Sequence, residues 1–331
     1  MKRPLVTNSK FLAGLVLAAL TAGTASAQSL DDLELRKRRR QQQIGFGILG
    51  LVENAVGLNR DRPDGSTMIY VAPQLKIGDK MRVRLNAAFS AAWFDRQENP
   101  WDFNDISLQF SHLGFYKDPW AGIQFSGYAR YYIPTSKASR NEGSYGQLRL
   151  VAKASRQLFG RLFLAFELNG QKYFHRYTTW NTNDGGSASW YGGSGREDFI
   201  ENNANFGLGQ TFTATVTTLP GLDLSAIYGL YQTREYQPGD GHADASGSSL
   251  VADPRQTLWV HSFRMILDAT YSIGALPWIQ RSERLKTSLL SRTYVSLGYA
   301  TLAPQLDGDH RNLNPFNPKY ASAYMDLMVL Y

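Results

Sequence analysis

The chain has 331 residues, 43% of them hydrophobic and 13% aromatic, with a formal net charge of +7 and no cysteine. The lack of cysteine excludes a disulfide framework, a thiol nucleophile and a thiolate metal site. A mean hydropathy of -0.33 excludes a bundle of membrane helices, since each needs about 20 consecutive apolar residues. Much of the positive charge lies near the amino terminus, in a short run, so nucleic-acid binding is disfavoured.

Residues 1–27 have the pattern of a secretory signal peptide. Lys2, Arg3 and Lys10 supply positive charge, 11–20 is apolar, and Ala25-Ser26-Ala27 precedes Gln28. The apolar run is too short for the alternative, an uncleaved anchor helix. We therefore expect export and cleavage after Ala27.

Residues 28–43, QSLDDLELRKRRRQQQ, combine helix-forming residues with acidic side chains placed before basic ones. This charge order favours a short periplasmic helix. A disordered arm is the alternative. The segment could bind an acidic periplasmic partner or act as a plug for the structure that follows it, but a solvated tail is the favoured interpretation.

From Ile44 onward, apolar residues recur at every second position. The clearest segment is 81–94, where Met81, Val83 and Leu85 share one face and Arg82 and Arg84 the other. The pattern predicts twelve strands, at 44–58, 66–77, 81–94, 104–117, 121–134, 145–158, 161–177, 203–218, 222–236, 255–272, 287–303 and 319–331. The glycine-rich first segment is also compatible with a helix, which would change the count.

Short connections containing Gly or Pro alternate with long polar ones. The short ones are at 78–80, 118–120, 159–161 and 220–221, with a longer one at 274–286. Outer-membrane β-barrels place short turns in the periplasm and long loops outside, and they need an even number of strands to do so. The segment 325–331 alternates and ends on the aromatic Tyr331, as expected for a closing strand.

These features together resemble an outer-membrane β-barrel of a Gram-negative bacterium. The fold class predicted is all-β, with 44–331 forming a transmembrane antiparallel barrel after the signal peptide and the basic segment. A soluble periplasmic β-sandwich would alternate in the same way. Runs of ten or more residues argue against it, because globular strands average about five or six.

With the apolar face turned to lipid, the other face predicts a polar lumen with a modest excess of positive charge. The predicted pore-lining residues are Arg82, Arg84, Tyr128, Arg130, Tyr132, Arg149, Lys153, Arg264 and Arg292. Acidic or amide residues accompany them at Glu53, Glu167, Asn169, Asp223, Asp268 and Asp326. Such groups either brace a closed barrel as ion pairs or lower the barrier for anions.

The run from Tyr128 to Tyr132 places two lumenal aromatic rings around the Arg130 guanidinium. Strand count and lumen chemistry are similar to those of monomeric twelve-stranded porins for acidic oligosaccharides. No diagnostic motif of that family is matched, so no residue role is carried over from it. The resemblance implies a monomeric, passive channel for small hydrophilic, anionic solutes.

Two alternatives stay open, a plugged barrel that anchors an envelope complex and a lipid-facing hydrolase. For the hydrolase, His261 is the candidate base, but Trp259 and Phe263 occupy the neighbouring outward positions where a nucleophile would lie. His112-Leu113-Gly114 also lacks the serine that the His-x-Ser arrangement of outer-membrane phospholipases would require. We predict no enzyme, no cofactor and no metal site. The expected partners are the lipid bilayer, lipopolysaccharide through the acidic loops near 95–105 and 178–203, and small solutes.

Overall fold

The computed structural model describes residues 44–59, 64–93, 101–176, 179–181, 200–236, 259–305 and 314–331. The predicted signal peptide and the segment 28–43 lie outside these ranges. Within them, no helix is long and apolar enough to cross a membrane.

Long antiparallel strands dominate the described chain. Twelve of them form one ring: β1 Ile44–Gly57, β2 Gly65–Ile77, β3 Met81–Ala92, β5 Ile106–Lys117, β6 Gln124–Ile133, β7 Ser144–Leu158, β8 Leu162–His175, β11 Ala204–Leu219, β12 Leu222–Glu235, β13 Trp259–Ser272, β14 Thr293–Pro304 and β15 Ala321–Leu330. Three short strands complete the set: β4 Trp101–Phe103, β9 Thr179–Asn181 and β10 Ile200–Asn202.

The ring is closed by pairing between the first and last strands. The pairing of β1 with β15 runs from Leu49 opposite Leu330 to Gly57 opposite Ser322. The Tyr331 amide donates to the Ile48 carbonyl and the Ile48 amide to the Tyr331 carbonyl, each at 2.9 Å. Each strand of the ring pairs antiparallel with its neighbours. The predicted transmembrane barrel of twelve strands is confirmed, and the glycine-rich first segment is a strand.

Side chains alternate between the two faces of the barrel wall. On β3, Leu85 is 43% exposed on the outside, whereas Arg84 beside it is 4% exposed. The outer face is apolar on every barrel strand, and the inner face carries the buried polar groups. This distribution matches a barrel whose outside contacts lipid and whose inside is polar.

The two ends of the barrel differ in their connections. Short connections at 78–80, 118–123, 159–161 and 220–221, together with 273–292, lie at the end where β1 starts and β15 finishes. At Phe159 and Gly160 both φ angles are positive, 49° and 69°, as a tight hairpin of type I′ requires. Short turns mark the periplasmic end of an outer-membrane barrel, so the long connections face outward from the cell.

The connection between β13 and β14 differs from the prediction. A strand was expected over 287–303, but it begins at Thr293, because 273–292 folds into short helical turns. They are Ile273–Ala275, Pro277–Arg281, Glu283–Lys286 and Leu289–Arg292. Pro277 is at the first position of its helix, where its missing N–H costs no hydrogen bond. A further helix, Lys137–Asn141, lies in a long connection.

An apolar cluster fills part of the inner wall beside the closing seam. Its buried members are Leu49, Leu51, Tyr70, Ala72, Ala88, Tyr294 and Met328. Leu51 and Met328 are opposite each other across the β1–β15 pairing. The barrel is thus closed by backbone hydrogen bonds and by lumenal apolar packing at the same seam.

Candidate pore lining

The inner face carries a basic wall, which we define as Arg82, Arg84, Arg130, Arg149 and Lys153, on β3, β6 and β7. Strand register aligns three of its guanidinium groups. Arg84 is opposite Gln109, Gln109 is opposite Arg130, and Arg130 is opposite Arg149. These residues form one row across four strands, in the order Arg84, Gln109, Arg130 and Arg149.

Arg130 of this row contacts one amide and two aromatic rings. Its Nε donates to the Gln109 Oε1 at 2.8 Å, and its Nη2 donates to the same oxygen. Its Nη1 donates to the Tyr132 hydroxyl at 3.2 Å. The guanidinium carbon lies 5.3 Å from the Tyr128 ring centre and 5.7 Å from that of Tyr132. Both tyrosines therefore flank the cation, within the range of cation–π attraction.

Arg84 and Lys153 are held differently. The Arg84 Nη2 donates to the Gln74 Oε1 at 3.2 Å, within β2 and β3. The Lys153 Nζ lies 3.3 Å from the Glu167 Oε1, and the two side chains are 11% and 4% exposed. Lys153 and Glu167 are directly opposite each other on β7 and β8. This ion pair braces the wall and neutralises one of its cations.

An acidic wall, which we define as Glu53, Asp223, Asp268 and Asp326, occupies β1, β12, β13 and β15. Glu53 is directly opposite Asp326. Asp326 is 1% exposed, and neither of its carboxylate oxygens has a hydrogen-bond partner within the described ranges. The Asp223 Oδ1 accepts from the Thr217 hydroxyl at 2.5 Å. Within the described residues, most lumenal cations are therefore on β3, β6 and β7 and most carboxylates on β1, β12, β13 and β15, with Glu167 on β8 and Arg264 on β13 as exceptions.

Arg264 is on β13, the strand that also carries Asp268 of the acidic wall. It is close enough to interact electrostatically with Glu53 of the acidic wall and with Arg149 of the basic wall. Tyr231 and Tyr324 are among its other electrostatic neighbours. Arg264 therefore interacts electrostatically with charged groups of both walls.

Two lumenal tyrosines lie flat against the wall because glycines leave room for them. A Cβ atom on Gly298 would overlap the Tyr324 ring, and one on Gly229 would lie 2.8 Å from the ring of Tyr231. Gly298 is on β14, beside the strand that carries Tyr324, and Gly229 is on β12, the same strand as Tyr231. This arrangement keeps two large side chains out of the centre of the lumen.

Arg292 was predicted to line the pore from within a strand, and this expectation is corrected. Because Leu289–Arg292 is a 3-10 helix, Arg292 lies at the periplasmic rim, with its guanidinium 5.5 Å from the Tyr331 ring centre. The other eight predicted residues lie on barrel strands in the inward register.

Several lumenal residues were not among the predicted lining because they carry no charge. Gln74 and Gln109 hold the arginines, and the Tyr70 hydroxyl donates to the Asn86 Oδ1. The same alternation that identified Arg84 assigns Gln74, Asn86 and Gln109 to the inner face. The sequence therefore contained the inward positions of these amides, but nothing in it identified them as partners of the arginines.

The described histidines do not converge. His112 and His261 are in the outward register, on β5 and β13, whereas His175 is buried at the end of β8. Over the described ranges, no group of three His, Asp or Glu side chains is arranged to hold a metal ion. The loop at 182–199 and the histidines at 242 and 310 lie outside the described residues.

A closed antiparallel barrel with an apolar outer face and a polar inner face is the solution that a bilayer imposes on β-structure, because it leaves no strand edge in lipid. The chain has this architecture. It is an outer-membrane β-barrel of the Gram-negative type, as the sequence predicted.

No protein-family model matches the chain, and no curated protein matches its sequence. Among solved structures it is similar to an outer membrane channel from Pseudomonas putida F1, with a TM-score of 0.49 and 9% identity over 89% of this chain and 97% of that one. It is also similar to the NanC porin, with a TM-score of 0.41 and 8% identity over 86% of this chain and 98% of that one. For the KdgM porin the TM-score is 0.38 and the identity 8%, over 86% and 98% of the two chains.

Proposed function

We propose that the chain is an outer-membrane channel through which small hydrophilic, preferentially anionic, solutes diffuse passively. The basic wall carries this proposal. Arg84, Arg130 and Arg149 form one row on the lumen side. Gln74 accepts a hydrogen bond from Arg84, and Gln109 accepts one from Arg130. A row of guanidinium groups makes the potential along this part of the lumen wall more positive, which lowers the barrier for an anion.

The two tyrosines beside Arg130 add to this preference. A ring surface near a guanidinium offers both apolar contact and charge, so it suits a solute with a carboxylate on a ring or short carbon frame. Acidic sugars and small organic acids are the solute classes with that chemistry.

A plugged structural barrel is the second candidate. The observation in its favour is the close packing of the lumen wall, where Gln74, Arg84 and Gln109 are each less than 5% exposed. The same side chains would line a closed barrel and a narrow open channel. Conductance measurements are therefore needed to distinguish the two. We do not propose catalysis, because outward His261 has Trp259 and Phe263 at the neighbouring outward positions.

The test is the reversal potential of single channels in a planar bilayer under a KCl gradient. We expect steady conductance and a potential of the sign that favours chloride. In the variant Arg130→Glu, a carboxylate replaces the cation between Tyr128 and Tyr132, so the permeability ratio should move severalfold toward potassium.

The matched control is Arg140→Glu, which makes the same charge change on an exposed helix outside the lumen. At about 1 M salt the screening length is about 3 Å, so this variant should behave as the parent chain does. Equal selectivity in the parent chain and Arg130→Glu would contradict the role of the row. A silent bilayer from correctly folded protein would instead favour the plugged barrel.

A further inference from the structure

The outer, lipid-facing wall of the barrel contains a hollow of about 570 Å³. It spans β5 to β8 and reaches β11, away from the lumen described above. Its floor is made of small outward residues: Gly127, Ala129, Ala152 and Gly170. Its walls are large apolar side chains, including Phe110, Leu150 and Leu208, each about half exposed.

Strand register explains why a hollow forms at this place. Gly127 is directly opposite Ala152, so two small residues adjoin on β6 and β7. Gly170 lies between Leu150 and Leu208 on its two neighbouring strands. An added Cβ at Gly170 would meet only Leu208, at 3.9 Å. The floor is therefore open above Gly170, where a larger side chain could fill the space, whereas a Cβ at Gly127 would meet the Val151 carbonyl oxygen at 2.6 Å.

A path of small side chains leads from the hollow toward the periplasmic rim. Outward positions on β7 below Ala152 are Ala154 and then Arg156. Ala154 is flanked by Phe125 on β6 and Phe166 on β8. Ala154 thus continues the small-residue floor of the hollow along β7, between two aromatic positions, and we call the hollow and this continuation the groove.

Arg156 ends this groove with an exposed cation. It is four residues from Ala152, a distance of about 13 Å along a strand. The apolar band of such barrels is about 25 Å tall, so 13 Å is about half of it. Arg156 is also two residues from Leu158, where β7 ends at a short periplasmic turn, so its cation is at the level of the lipid headgroups in the periplasmic leaflet.

We propose that this groove binds one phospholipid of the periplasmic leaflet, with an acyl chain in the hollow and its phosphate on Arg156. The apolar hollow, the alanine path and the terminal guanidinium match an acyl chain joined to an anionic headgroup in size, order and charge. A second copy of the chain fits less well, because a two-fold contact over this groove would bring the Arg156 cations of the two copies toward each other.

The test is native mass spectrometry of the refolded barrel in mild detergent, titrated with phosphatidylglycerol. We expect one tightly retained lipid in the parent chain. In Ala152→Leu and Gly170→Leu the hollow is filled from its floor, so retention should fall at least tenfold. Arg156→Gln should weaken retention severalfold and leave the hollow intact.

Ala226→Leu is the matched control for the hollow, since Ala226 is an exposed outward alanine on β12. Arg140→Gln is the control for charge. Each variant is checked for folding by the change in gel mobility on boiling, and its conductance reports separately on the lumen. Equal lipid retention by Ala152→Leu and Ala226→Leu would overturn the proposal. A parent dimer that Ala152→Leu dissociates, with no retained lipid, would overturn it in favour of a second copy.

Discussion

The ion pair between Lys153 and Glu167 predicts that a change of Glu167 alone lowers the stability of the barrel. Both side chains are almost wholly buried and their charged atoms are 3.3 Å apart. Glu167→Gln leaves the Lys153 ammonium buried without its carboxylate. Removing one partner of a buried pair costs about 3–5 kcal/mol, so we expect the free energy of unfolding to fall by an amount in that range.

The double variant Lys153→Met with Glu167→Leu provides the control. It removes both charges and keeps apolar volume, so most of the lost stability should return. Guanidinium unfolding in lipid vesicles, followed by tryptophan fluorescence, measures all three chains. An unfolding free energy of Glu167→Gln equal to that of the parent chain would show that the pair does not brace the wall.

At the scale of the element, the strands at the closing seam predict that truncating an inward side chain costs more stability than truncating an outward one. Leu51 on β1 is fully buried in the lumenal cluster, whereas Val71 on β2 is in the outward register. Leu51→Ala should cost about 2–5 kcal/mol, because it leaves a cavity in packed surroundings. Val71→Ala should cost much less, because lipid tails replace the lost contacts. Similar losses in the same unfolding assay would contradict the assignment of faces.

The strands were predictable from the sequence because lipid and lumen impose opposite polarity on successive residues. Met81, Val83 and Leu85 alternate with Arg82 and Arg84, and β3 was recovered within two residues of its predicted end. The segment 273–292 was not predictable in the same way. It is outside the lipid, so nothing enforces a period of two, and Pro277 and serine caps direct it into helical turns.

At the scale of the whole molecule, the sequence predicted which side chains face inward but not which meet across the lumen. The position of Arg130 between two tyrosines could be predicted, because all three residues alternate on one strand. The electrostatic interaction of Arg264 with both Glu53 and Arg149 depends on the closed ring. Closure brings together residues more than 100 positions apart, and no local pattern encodes that distance. The charge segregation of the lumen is a property of the ring for the same reason.

The orientation of the barrel gives a prediction for the molecule as a whole. The chain has no cysteine, so one introduced thiol is the only reactive site. Lys137→Cys lies on an exposed helix at the long-connection end, and Asp79→Cys lies in a short turn at the opposite end. If short turns face the periplasm, a maleimide polymer too large to cross the outer membrane should label Lys137→Cys on intact cells. Asp79→Cys should react only after lysis. Labelling of Asp79→Cys alone on intact cells would mean that the barrel is inserted the other way, and equal labelling of both would mean that it does not span the membrane.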